Sequence, residues 1–290
     1  MKPSDHLGYT PSQTNACEKL LVSLVRWSGP WRDTLYLVGG LVPRYLLDQQ
    51  EHVGTVDVDL MLDLDQLEDT EAYRTLEQNL KRMGLKRSQN EDGQAQHFRW
   101  TTVEPDDFAA IDLLCPALKD QPGGSIQPLG VVGQKRLSAL RIPGGHLVFQ
   151  DYEERVIQAE LIGERGTAEV KVRVAGISSF IVLKALAYEE RGERKDAYDL
   201  VFCLLNFQTG PEEAGKVFAA KMAELEHEPL FPKAVGILRS RFASDERIAG
   251  DRKDGPHSYA DFIAPGDPEG SARARQNAVA AVELFLAQLG

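Results

Sequence analysis

The chain has 290 residues, 42% hydrophobic and 27% charged, which supplies apolar side chains for real cores and excludes a wholly disordered protein. Its formal net charge of −11 and pI near 5.1 exclude a broadly basic nucleic-acid coat, while leaving room for a local basic groove or a cationic small substrate. Cys17, Cys115 and Cys203 are far apart and odd in number, which excludes a disulfide framework or C-x-x-C zinc site, and no stretch reaches the ~18 apolar residues of a membrane span.

Residues 1–14 are polar, carry two prolines and read as loosely ordered, and residues 1–16 hold no apolar leader, so the expectation is a cytoplasmic protein without a membrane partner. Residues 15–28 place Cys17, Leu20, Leu21, Leu24 and Val25 at helical spacing, stopped by Gly29 and Pro30. A short apolar strand, Leu35 to Val38, enters a tight turn at Gly39 and Gly40, and 41–50 read as a short helix. Over 55–63 the pattern alternates: Val56, Val58, Leu60 and Leu62 on one face, Thr55, Asp57, Asp59, Met61 and Asp63 on the other. An amphipathic helix is predicted over 67–83, and strands over 97–103 and 108–115. Residues 116–133 are Pro- and Gly-rich and read as loop.

Further strand-like runs follow at 137–142, 146–150, 154–162 and 168–175, separated by turn signals such as Pro143, Gly144 and Gly145. The period then becomes helical: two helices over 177–207 meeting near Arg191 and Gly192, helix over 211–244, loop over 245–270, and a last helix over 271–289. This order predicts an α/β (α+β) fold, a small mixed sheet with flanking helices over 15–175 and a helical domain over 176–290.

Two carboxylates at i and i+2 on a strand project from the same face, as Asp57 and Asp59 do here. Paired carboxylates suit hard, oxygen-liganded cations such as Mg²⁺, and a pair of such ions can clamp the attacking and leaving oxygens of a phosphoryl displacement. The alternative is a solvated strand face carrying ordinary surface acids. Asp112 stands in the apolar run AAIDLLC, where aspartate is poorly suited and needs a partner, either a metal or backbone N–H groups. Gly39 and Gly40 allow backbone N–H groups to approach a phosphate, although a plain turn accounts for them too. Lys184 lies in a strongly apolar helix, where it either pairs or snorkels at the core edge. Lys195 and Asp199 have the spacing of an exposed helix ion pair. His52, His97, His146, His227 and His257 show no ligand spacing and read as surface or core residues.

The run LVGG, then GTVDVDL, then the isolated Asp of IDLL resembles the nucleotidyltransferase superfamily. The run KALAYEERGERKDAYDLVFCLL is similar to the helical motif of AbiEii/AbiGii-type nucleotidyltransferase toxins and their stand-alone relatives. The resemblance covers roughly 35–115 and 176–207 and implies a nucleotidyltransferase sheet with a C-terminal helical domain. It implies that Gly39, Gly40 and Thr55 contact an NTP, that Asp57, Asp59 and Asp112 ligate Mg²⁺ or Mn²⁺, and that Asp112 helps deprotonate the acceptor hydroxyl. Lys184 would hold a phosphate, and Lys195, Asp196 and Asp199 would complete the site. The implied reaction moves an NMP from an NTP to a hydroxyl of a tRNA, a protein or a small molecule, in a toxin–antitoxin or phage-defence setting with a cognate antitoxin. One departure stands out: Leu41 occupies the place after the Gly pair where the family usually has Ser or Thr, so a catalytically degenerate nucleotide- or partner-binding module is the competing reading.

Overall fold

The first helix, α1 (Pro11–Trp27), starts inside the segment that composition marks as loose. Thr10 Oγ accepts from the Gln13 N–H at 3.3 Å, while Gln13 Oε1 accepts from the Thr10 N–H at 3.0 Å. This reciprocal cap satisfies two otherwise orphaned donors, and Pro11 sits where its missing N–H costs nothing. The helix buries Cys17, Leu20, Leu21, Leu24 and Val25, the stripe its periodicity marks. Each such aliphatic side chain contributes about 1.5–3 kcal/mol.

The computed structural model describes residues 3–47, 51–67, 70–89, 92–102, 108–118, 120–130, 137–244 and 253–290. The chain forms two compact units: residues 9–45 with 53–175, and residues up to 8 with 46–52 and 176–290. Among the described residues, no helix is long and apolar enough to cross a membrane.

The first unit is built on a mixed sheet. Its strands are β1 (Leu35–Val38), β2 (Asp57–Leu62), β3 (Lys86–Gln89), β4 (Ala95–Thr101), β5 (Ala110–Pro116), β6 (Ile126–Leu129), β7 (Leu137–Ile142), β8 (Tyr152–Glu160) and β9 (Thr167–Ala175). They run in the order β3-β4-β5-β2-β1-β9-β8, and β7 joins β5 to β6. One edge of β5 is divided. Ala110, Ile111 and Asp112 pair antiparallel with β4, whereas Leu114, Cys115 and Pro116 pair parallel with β7. Leu37, Val58, Leu60, Ile111 and Leu113 are fully buried. Helices α2 (Val42–Leu46) and α3 (Thr70–Arg82) complete the unit, with α1 packed on β2, β8, β9 and α3.

Three segments differ from the sequence reading. β3 (KRSQ) and β6 (IQPL) lack apolar alternation; β3 is an edge strand, and Pro128 lies in β6. Residues 146–150 were expected as strand, but Gly145–Phe149 is a 3-10 turn. Its apolar residues pack on the sheet instead of extending it: Leu147 and Val148 are buried, and the Phe149 ring lies 4.9 Å from that of Tyr36. Val103, at the end of the strand expected over 97–103, lies outside the described residues.

The second unit is helical: α4 (Ile177–Arg191), α5 (Arg194–Asn206), α6 (Pro211–Glu224), α7 (Leu230–Arg241), α8 (Asp254–Ile263) and α9 (Pro268–Leu286). α8 falls within the expected 245–270 loop, where polar residues hide its period; residues 245–252 lie outside the described residues. Tyr259, Ala260 and Phe262 give α8 a buried side, and the Phe262 ring sits 4.8 Å from Tyr198 of α5. A second aromatic group joins α6, α7 and α9, with Phe218 about equidistant from Phe231 and Phe285 at 5.1 and 5.2 Å.

Candidate active site

Strand register brings the acidic residues together. Asp59 of β2 pairs with Val38 of β1 on one side and Asp112 of β5 on the other, and Asp112 pairs with Arg99 of β4. Directly paired residues share a face, so Val38, Asp59, Asp112 and Arg99 form one row across four strands, and Asp57 projects beside it. One ligand oxygen from each of Asp57, Asp59 and Asp112 lies within 4.8 Å of the other two. Asp57 and Asp112 are only 2% and 7% exposed, which sets aside the solvated-face alternative.

Buried carboxylates this close repel one another and need positive charge nearby. Arg99 supplies some of it. Its Nη1 lies 2.6 Å from Asp112 Oδ2 and its Nη2 3.5 Å from Asp57 Oδ2. Burial acts to lower the Arg99 pKa, but the charges of Asp112, Asp57 and Asp59 outweigh it and raise it. Sequence pattern alone points to a metal or backbone N–H groups as the partner of Asp112, and not to this arginine. The available signal was the alternation of FRW, which puts Arg99 opposite the buried Trp100; only the register then shows what Arg99 faces. The donor set itself, three carboxylates converging from two strands, fits a hard divalent cation such as Mg²⁺ or Mn²⁺.

Two neighbours fix the triad. Gly39 has φ +74°, and a Cβ built there would lie 1.9 Å from Asp59 Oδ2. The absent side chain at 39 is therefore the space that Asp59 fills. Gly39–Leu41 makes one 3-10 turn leading into α2, and Leu41 is 1% exposed, its side chain part of the core. Thr55 is buried, and its hydroxyl donates to Asp57 Oδ1 at 2.9 Å, so it orients a carboxylate of the triad. The Thr55 N–H donates to Thr14 Oγ1 of α1 at 3.3 Å, anchoring the approach to β2.

The residues of the second motif form a separate buried network inside the helical unit. Lys184 of α4, 7% exposed, donates to Asp196 Oδ1 at 2.9 Å and to Asp199 Oδ2 at 2.6 Å. Arg191 closes on Asp196 through Nε and Nη2, at 2.6 and 2.9 Å. Lys195 donates to Asp199 Oδ1. With its side chain 14% exposed, Lys195 belongs to this network, in contrast to the exposed ion pair that spacing alone suggested. Lys184 is paired, so the snorkelling alternative falls away.

His52, which spacing marks only as a surface or core residue, is a buried member of this network. It is 5% exposed and lies 2.9 Å from Asp199 Oδ1 through Nε2. Burial, with Lys195 beside it, lowers its pKa to about 4, so the ring is neutral near pH 7 and the Nε2–H donates to the carboxylate. Burial also acts to raise the Asp199 pKa, but Lys184, Lys195 and His52 hold it well below the usual carboxylate range. Burial lowers the pKa of Lys195, and Asp199 offsets only part of that effect.

A family model described as "Nucleotidyl transferase AbiEii toxin, Type IV TA system" matches residues 22–281. Among solved structures the chain is similar to MenT4, a nucleotidyltransferase toxin from Mycobacterium tuberculosis H37Rv, at 17% identity and a TM-score of 0.39, over 98% of this chain and 96% of that one. No curated protein matches the sequence.

Proposed function

The chain belongs to the AbiEii family of nucleotidyltransferase toxins, and on that premise we propose that it transfers a nucleoside monophosphate from an NTP to an acceptor hydroxyl, releasing pyrophosphate. The observation that carries the reading is the convergence of buried Asp57 and Asp112 with half-buried Asp59 beside the turn at Gly39. Asp57, Asp59 and Asp112 would hold Mg²⁺ or Mn²⁺, which when bound neutralises charge developing on the transferring phosphoryl group.

The remaining work falls to groups of the chain. Gly39 and Gly40 offer backbone N–H groups to the triphosphate, since Leu41 brings no hydroxyl. Asp112 accepts the proton of the acceptor hydroxyl, and Arg99 and Thr55 keep the carboxylates in position. Catalysis then rests mainly on positioning and preorganised charge. In the helical unit Lys184 holds Asp196 and Asp199 in place, a positioning role suited to an ammonium already held by two carboxylates.

The acceptor is a hydroxyl of RNA, of protein or of a cationic small molecule, and a cognate antitoxin would be expected to restrain the activity. The degenerate-module reading rests on Leu41; the complete carboxylate triad favours the enzyme. The test is labelling with each α-³²P NTP, Mg²⁺ or Mn²⁺, and total RNA or lysate. Wild type should label one acceptor class, and Asp57→Asn should lose at least about 10²-fold while remaining folded. Labelling by Asp57→Asn at the wild-type rate would remove the triad from the chemistry; NTP binding without turnover on any acceptor would support the degenerate module.

A further inference from the structure

The placement of Arg99 has a consequence for how the triad is loaded. Its guanidinium spans the two strands that carry the acids, with Nη1 on Asp112 Oδ2 at 2.6 Å and Nη2 on Asp57 Oδ2 at 3.5 Å. It comes from β4, on the far side of β5, and its side chain is 21% exposed. An arginine at an ordinary strand pair would serve one carboxylate; this one reaches across β5 to β2. Asp59 lies against Gly39, at the opposite end of the row from Arg99.

We propose that Arg99 is a resident counter-cation of the acidic triad, holding Asp57 and Asp112 in a charge-compensated arrangement that a divalent cation must compete with. The inference rests on the metal-binding reading of the triad given above. Three carboxylates drawn this close favour positive charge among them, and the Arg99 guanidinium supplies one such charge. The oxygens engaged by Arg99 are Oδ2 atoms of two of the three carboxylates that would hold the cation. Guanidinium cannot shed its charge at working pH, so it yields only by moving. Occupation of Asp57 and Asp112 by a cation is therefore coupled to displacement of the Arg99 side chain. Arg99 acts through the carboxylates, as a positioning residue that sets cation affinity.

Mn²⁺ binding to the full chain, followed by calorimetry and by the electron paramagnetic resonance of free ion, tests this with wild type, Arg99→Met and Arg99→Lys. Arg99→Met should bind Mn²⁺ about tenfold or more tightly, because a competing unit charge, hydrogen-bonded to one ligand and ion-paired with a second, has gone. In EDTA the same variant should melt below wild type and regain the difference on addition of Mn²⁺. Arg99→Lys keeps the charge without the fork that spans two carboxylates, so its affinity should fall between the two; it also carries the comparison should the Met variant fail to fold. Unchanged or weaker Mn²⁺ binding in both variants would overturn the proposal. If wild type still labels acceptor in that case, the Arg99 inference alone fails; if wild type binds no Mn²⁺ and labels nothing, the metal reading of the triad falls with it.

Discussion

Gly39→Ala tests the tightest contact in the site. The position has φ +74°, so any L residue there adopts a left-handed backbone, at about 1–2 kcal/mol. The added methyl would also stand 1.9 Å from Asp59 Oδ2 and 2.6 Å from its Cγ, so the carboxylate must move by about 1 Å or more to restore ordinary contact. For a domain of this size each kcal/mol lowers Tm by about 2–4 °C, so the backbone strain alone predicts a loss of roughly 2–8 °C by scanning calorimetry, and the clash with Asp59 adds to it. Displacing a reacting group by ~1 Å costs about 10²-fold in rate, so labelling should fall far more than stability does. The contributions separate in a double-variant cycle. In an Asp59→Ala background the steric part disappears and only the backbone strain remains. A Gly39→Ala protein with wild-type Tm and labelling rate would refute the packing argument, and an equal Tm loss in both backgrounds would refute the assignment of the clash to Asp59.

Lys184→Met leaves Asp196 and Asp199 without one of their buried partners and should destabilise the protein by about 3–5 kcal/mol in urea unfolding; a loss below 1 kcal/mol would mean that Arg191 and Lys195 suffice. His52 predicts a pH dependence. Its folded pKa of about 4 lies below the ordinary 6.5, so the unfolded chain binds the extra proton first. Stability should fall as pH drops from 6.5 toward 4, by roughly 3 kcal/mol, and His52→Asn should flatten that slope; an unaltered slope would place the titration elsewhere. Leu41→Ser restores a hydroxyl after the Gly pair but removes a side chain that is 1% exposed. It should lose about 2–5 kcal/mol with no gain in NTP affinity by calorimetry, and tighter binding would show that the turn can present the hydroxyl to a phosphate.

The alternation of 55–63 places Asp57 and Asp59 on one face, and the isolated Asp112 marks itself by standing in an apolar run. Both signals are local, and the structure brings these three carboxylates together. What joins them is register, and register depends on pairings between segments far apart in the chain, which no single-segment pattern encodes. Arg99 illustrates this: its strand was legible, but its opposition to Asp112 requires β4 and β5 to be aligned. His52 was less legible still, because a single histidine in a polar stretch gives no hint of a carboxylate 147 positions away. The α1 cap was readable in principle, since Thr10, Pro11 and Gln13 spell it out. α8 was obscured by its Asp, Gly, Pro, His and Ser residues, which mark turns elsewhere.

The path of the backbone also limits how this protein can be taken apart. Residues 46–52, between the sheet unit's 9–45 and 53–175, belong with the helices. Cleavage after 175 would therefore release no intact pair of halves: the upstream fragment would keep an orphaned strip ending in His52, and the downstream fragment would lack the imidazole that Asp199 binds. Gene fission or exchange of the C-terminal half between relatives should yield working proteins only when residues 46–52 travel with the helices they pack with.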